Sequence, residues 1–200
     1  MRRFLILVAV AALAALQSSS VVAETGSPGI GASIPIRAGV HTYVHSVALN
    51  PAFCAKLEAA VPNMRGQPCL GTITVRVTSG AAVKGRTLTT NTALAPVEVY
   101  AEFCGVALYF CFHVDAYWGV VYKAYTWVQW GPWCDGYSIG GSYSINWCGS
   151  YHNFWYTSQA GINVQLNYPW ASWGAGMRVN FPANYAIWVS CWGNGGGPCG

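Results

Sequence analysis

The sequence predicts an all-β chain, an antiparallel β-sandwich or partly open barrel, stapled by disulfides and carrying one short helix near residues 51–61. Three observations predict it. From residue 108 onward apolar and polar side chains alternate almost everywhere with the period of two that a strand imposes, broken by Gly and Pro turns. The eight cysteines form no CxxC pair, so in an exported chain their even number reads as a disulfide framework. All ten tryptophans lie at or beyond residue 118. The rings that must be buried or presented therefore belong to the later strands.

Residues 1–23 read as a signal peptide: Arg2 and Arg3 start it, Phe4 to Leu16 is apolar, and Val21-Val22-Ala23 resembles a cleavage site. The apolar run is about 13 residues where a bilayer span needs about 20, so no transmembrane anchor is expected once the segment is removed. Without Arg2 and Arg3, the ten Lys/Arg fall to eight against six Asp/Glu, a net of +2. That scattered charge argues against nucleic acid as a partner. Secretion is the expected location.

Residues 24–95 are expected to form an amino-terminal, β-rich portion. Gly, Ser and Pro up to Ile34 suggest a loose leader. Val40 to Val47 alternates, with His41, Tyr43, His45 and Val47 on one face. Asn50 suits a helix cap, Pro51 the first turn, and Phe53, Leu57 and Ala60 share a face until Pro62. The next strand points Ile73, Val75 and Val77 one way and Thr72, Thr74, Arg76 and Thr78 the other. A composition shift near Leu94 to Pro96 suggests a boundary, although a hairpin and loop within one domain also fit.

Residues 96–200 are expected to form an aromatic-rich antiparallel portion. Leu108, Phe110, Phe112, Val114 and Ala116 make an apolar face. Further strands are predicted at Val120–Trp130, Trp133–Ile139, Tyr143–Cys148, Tyr151–Thr157, Ile162–Tyr168, Met177–Phe181 and Tyr185–Cys191. The pairing of neighbours, Cys54–Cys69, Cys104–Cys111, Cys134–Cys148 and Cys191–Cys199, is preferred. Cys104 and Cys111 differ by an odd number, so their bridge requires a turn around Gly105 to Ala107. Cys134 falls opposite Cys148 if Gly140-Gly141-Ser142 is a three-residue hairpin loop.

Candidate chemistry is sparse. Gly136-Tyr137-Ser138-Ile139-Gly140 matches the GxSxG nucleophile elbow, but no helical period follows and no acid remains downstream of Ser138. His113 and Asp115 sit two apart on one strand face, about 6.5–7 Å between Cα atoms. With Glu102, Asp135 and His152 they are the available acid/base set. Glycoside hydrolysis can be staged by Glu102 with Asp115, or Asp115 with Asp135, at about 5–9.5 Å; solvated strand positions are the plainer account. His41 and His45 lie too far apart along a strand to share a metal, and neither metal nor cofactor is expected.

Aromatics on both strand faces exceed what one core absorbs, so the surplus must be covered by the rest of the chain, by a second copy through self-association, or by a ligand. The expected function is non-catalytic recognition of an extracellular or cell-surface polymer, a carbohydrate, through Trp127, Trp130, Trp133, Trp155, Trp170 and Trp173. Trp170 and Trp173 are included because Pro169 to Gly174 reads as a loop. Two other classes compete: a secreted hydrolase using Glu102, Asp115 or Asp135, and a secreted structural or membrane-active protein.

Overall fold

The computed structural model describes residues 33–80, 96–121, 123–184 and 186–193. Among these residues ten strands and one α-helix follow one another as β1 (Ile34–Pro35), β2 (Gly39–Ala48), α1 (Pro51–Ala60), β3 (Leu70–Ser79), β4 (Val97–Gly105), β5 (Phe110–Val121), β6 (Tyr125–Ser138), β7 (Ser142–Tyr151), β8 (Thr157–Tyr168), β9 (Ala171–Pro182) and β10 (Ala186–Gly193). They build two five-stranded antiparallel sheets, ordered β2-β3-β4-β5-β6 and β1-β10-β9-β8-β7. The first sheet is a meander in which chain neighbours pair, and so is the second from β7 to β10, with β1 added along the free side of β10. Neither closes into a barrel.

The alternation read from the sequence sorts the two faces. Val99, Ala101, Phe103, Phe112, Val114 and Trp118 of the first sheet meet Ile162, Val164, Leu166, Met177, Val179, Phe181 and Ile187 of the second in one buried cluster. Each fully buried large side chain contributes about 1.5–3 kcal/mol. One polar pin crosses this core. Trp118 Nε1 donates to Ser158 Oγ at 2.8 Å, Ser158 Oγ donates to Thr126 Oγ1 at 2.9 Å, and Thr126 Oγ1 donates to the Phe181 carbonyl at 2.7 Å.

Helix α1 forms where expected: the Asn50 side chain accepts from the Ala52 amide at 2.8 Å and Pro51 opens the first turn. Its Phe53 packs against Phe110, Tyr168, Trp170 and Trp173, closing one end of the sandwich. The Cys54–Cys69 disulfide ties it to the start of β3, with Cα atoms 5.8 Å apart. Cys104 and Cys111 face each other across the β4–β5 hairpin, joined through the expected turn at Val106–Leu108. Leu108 belongs to that turn and is exposed, because its φ of 65° takes it out of the strand.

Four expectations are corrected. β6 and β7 are not a hairpin: the chain switches sheets between Ser138 and Ser142, and the Cys134–Cys148 disulfide forms as an inter-sheet tether with Cα atoms 6.0 Å apart. Val120–Trp130 is not one strand, since β5 ends at Val121 and β6 begins at Tyr125, and the two pair antiparallel. Tyr151–Thr157 is not a strand either; β7 ends at Tyr151 and β8 begins at Thr157. Pro169 and Trp170 make a two-residue turn, and residues 171–174 belong to β9.

β3 and β4, which flank residues 81–95, pair from Thr72↔Cys104 to Thr78↔Glu98, so one sheet includes strands from both portions of the chain. The expected Cys191–Cys199 pairing involves Cys199, which lies outside the described residues, as does the expected signal segment.

Candidate functional site

The outer face of the first sheet gathers the ionisable residues. Antiparallel register sets Glu102 opposite His113 and His113 opposite Asp135 in one row; the next row sets Arg76, Tyr100, Asp115 and Trp133 side by side. A third row brings Glu98 beside Tyr117 and Trp130. Side chains two apart on a strand share a face, so all four acid/base candidates from β4, β5 and β6 meet on one surface. His152 is separate, in the turn after β7 with a φ of 46°.

Tyr100 is the hub of this surface. Its hydroxyl donates to Glu102 Oε1 at 3.0 Å, its ring lies 5.0 Å from that of His113, and Arg76 Cζ sits 4.9 Å from its centroid. Burial, and then the bond to Glu102, push the Tyr100 phenol up to about 12. Asp115 is raised to about 6, chiefly by burial and next by Glu98, while Arg76 and the Ala116 amide pull the other way. Its Oδ1 is buried without a hydrogen-bond partner. A carboxyl that keeps its proton close to neutrality can donate a hydrogen bond or a proton where an ordinary aspartate cannot.

Along the same face runs an aromatic row. Strand β6 has two bulges against β5: Tyr117 pairs with Trp130, while Trp118 pairs with Val128 and Asp115 with Trp133. Each bulge inserts one residue and reverses the alternation. Trp130 is thereby turned to the side of Trp127 and Trp133, although its even number would place it opposite. Tyr117 stands edge-on to Trp130 and Trp133, at 6.1 and 5.8 Å. Tyr125, Trp127, Trp130, Trp133 and Tyr137 therefore share the outer face of this edge strand, with Asp135 among them. Gly119 is required beneath Trp127, whose ring lies 2.1 Å from where a Cβ would stand.

The loop from His152 to Tyr156 flanks the row. Asn153 caps the edge of β6 by accepting from the Val128 amide, and Trp155 pairs with Thr126 through the backbone. Phe154 packs with tilted rings against Tyr125 at 5.0 Å and Trp127 at 6.0 Å, while Trp155 and Tyr156 stay 62% and 71% exposed.

Of the six tryptophans expected to form a platform, Trp127, Trp130 and Trp133 share this face and Trp155 lies at its end. Trp170 and Trp173 are elsewhere, half-buried against Phe53, with Trp170 also stacked on Tyr168 at 4.8 Å. Ser138 points inward and donates to the Tyr168 hydroxyl at 2.9 Å. It ends a strand that leads to another strand, so the strand-to-helix geometry of a nucleophile elbow is absent there. Glu102, Cys104 and Cys111 bring potential ligand atoms within 4.8 Å. The two sulfurs are bonded to each other, however, and offer no thiolate.

Sequence reasoning missed Arg76, Glu98, Tyr100, Tyr117 and Tyr137. Strand alternation marked Arg76 as outward, but only the register between strands brings these residues beside Asp115 and Glu102. Among the described residues no helix is long and apolar enough to cross a membrane. Comparisons with protein-family models, with curated proteins and with solved structures find no match for this chain.

Proposed function

We propose that the outer face of the first sheet binds an extracellular carbohydrate polymer without transforming it. The observation that carries this reading is the alignment of Tyr125, Trp127, Trp130, Trp133 and Tyr137 on one side of β6. Flat aromatic faces suit the apolar faces of sugar rings, and Asp135, Glu102 and His113 beside them supply the hydrogen bonds that hydroxyl groups need. A row laid along a strand suits an extended chain better than a compact molecule. Three disulfides are in keeping with an oxidising compartment, and with Phe4 to Leu16 they support export.

The test is tryptophan fluorescence during titration with soluble β-glucan, chitin and xylan oligosaccharides. At least one is expected to shift the emission, with Trp133→Ala weakening its binding tenfold or more. A flat response across the panel overturns the reading.

The raised Asp115 favours a second reading, a glycoside hydrolase. Diagonal neighbours on adjacent strands stand about 7–8 Å apart, within the roughly 6.5–9.5 Å that separates the carboxyls of inverting enzymes. Asp115 would serve as the acid and Glu102 or Asp135 as the base. Release of reducing ends that is lost in Asp115→Asn and in one of Glu102→Gln or Asp135→Asn is the expected result; activity that survives all three substitutions excludes the assignment.

A further inference from the structure

The outer face of the second sheet, on the opposite side of the sandwich, differs in chemistry from the first. No Asp or Glu follows Asp135 in the sequence, so β7 to β10 carry no carboxylate side chain. Their outward residues are mostly amides, hydroxyls and glycines, with Gln159, Asn163, Gln165 and Asn167 in succession along β8. One strong charge stands among them, Arg178 on β9. It lies opposite Gly161 on β8 and Ser190 on β10.

The guanidinium is held between rings. Arg178 Cζ lies 5.4 Å from the centroid of Tyr151 and 5.3 Å from that of Trp192. Trp192 lies flat on the sheet over Gly176, 2.3 Å from where a Cβ would stand, so only glycine admits it. Trp147, in the same cross-strand row as Trp192 but on β7, lies over Gly149 and Gly161, 3.1 Å from where either Cβ would stand. Arg178 Nε is buried without a hydrogen-bond partner, and the neighbouring Gln159 Oε1 is likewise unpaired.

A cation stacked on aromatic faces is fixed in orientation, yet neither ring neutralises its charge or accepts its hydrogen bonds in the plane. That plane is where a planar fork engages an oxyanion. Trp147 and Tyr151 are 36% and 50% exposed, so ring surface remains beside it.

We propose that Arg178, with Trp147 and Tyr151, forms a second binding site, specific for an acidic sugar: the carboxylate or sulfate takes the guanidinium and the sugar ring takes the aromatic faces. This site does not rest on the reading of the first sheet. The two are separated by the whole core and differ in charge, so each can fail alone.

The test follows the Arg178 Nε–H and the Trp147 and Trp192 indole N–H signals by NMR during titration with trigalacturonate, galactose 6-sulfate, galactose and sodium sulfate. An acidic sugar is expected to shift all three signals and to bind at least tenfold tighter than galactose or free sulfate. The tighter of the two acidic sugars identifies the anion as carboxylate or sulfate. Arg178→Gln is expected to abolish the preference, and Arg178→Lys, which keeps the charge and serves should the glutamine variant misfold, to weaken it. Trp133→Ala is expected to leave it unchanged. The proposal is overturned if no signal moves, if galactose or free sulfate binds as tightly as the acidic sugars, or if both Arg178 variants retain the preference.

Discussion

Asp115 shows what a single side chain on a crowded sheet costs. Burial raises its carboxyl from the ordinary aspartate value of 3.8 to about 6 in the folded chain, so the folded state holds the proton longer. The stability this group contributes is full below pH 3.8 and is lost as the pH rises through about 6. Asp115→Asn cannot ionise; the variant is expected to match the parent at pH 3.5 and to exceed it above pH 6 by on the order of 1 kcal/mol, after allowance for the water that screens this half-buried group. Urea midpoints at the two pH values check this, and an equal gain at both would show altered packing instead. Thr126 makes the opposite case. Thr126→Val leaves the Ser158 amide and the Phe181 carbonyl short of a partner in the core and is expected to cost about 2–3 kcal/mol, read as a lower thermal midpoint. Neither effect was legible in the sequence: Asp115 reads there as an outward strand residue, and nothing joins Thr126 to Ser158 until two sheets face each other.

Strand β6 shows how far pattern reading carries at the level of an element. Alternation identified its strand character, and the odd spacing of Cys104 and Cys111 required the turn found between them. Bulges leave no such trace. One inserted residue at each of two points reverses the alternation twice, so Trp127, Trp130 and Trp133, which strict alternation divides between the faces, fall on one. The switch between sheets after Ser138 was hidden for a similar reason, since Gly-Gly-Ser serves a corner as well as a hairpin. Two predictions belong here. Asn153→Ala removes the acceptor that covers the edge of β6, so the Val128 amide is expected to exchange with solvent at least tenfold faster. Replacing Cys134 and Cys148 with alanine frees the two sheets at this edge; the chain-entropy model puts the loss at about 3 kcal/mol, measured as a reduced urea midpoint.

For the molecule as a whole, one core between two sheets implies one unfolding transition. Far-ultraviolet and near-ultraviolet dichroism are expected to report coincident thermal midpoints, and a fragment of residues 96–200 is expected to stay unfolded, because it lacks β2 and β3 and bares the edge of β4. Separate transitions would instead mark residues 24–95 as an independent unit. The fold class was legible because two meanders need only period-two strands and short turns; the way the meanders stack was not, since stacking is set by contacts distant in sequence. Every cysteine of a described bridge joins the cysteine next to it in the chain, 15, 7 or 14 positions away. Oxidation can therefore keep pace with a polypeptide delivered amino end first, each thiol meeting its mate before a rival arrives. Among the described strands, the short pairing of β1 with β10 is the one that joins strands distant in the chain, so the three described bridges are expected to form in dilute glutathione without an isomerase to shuffle them.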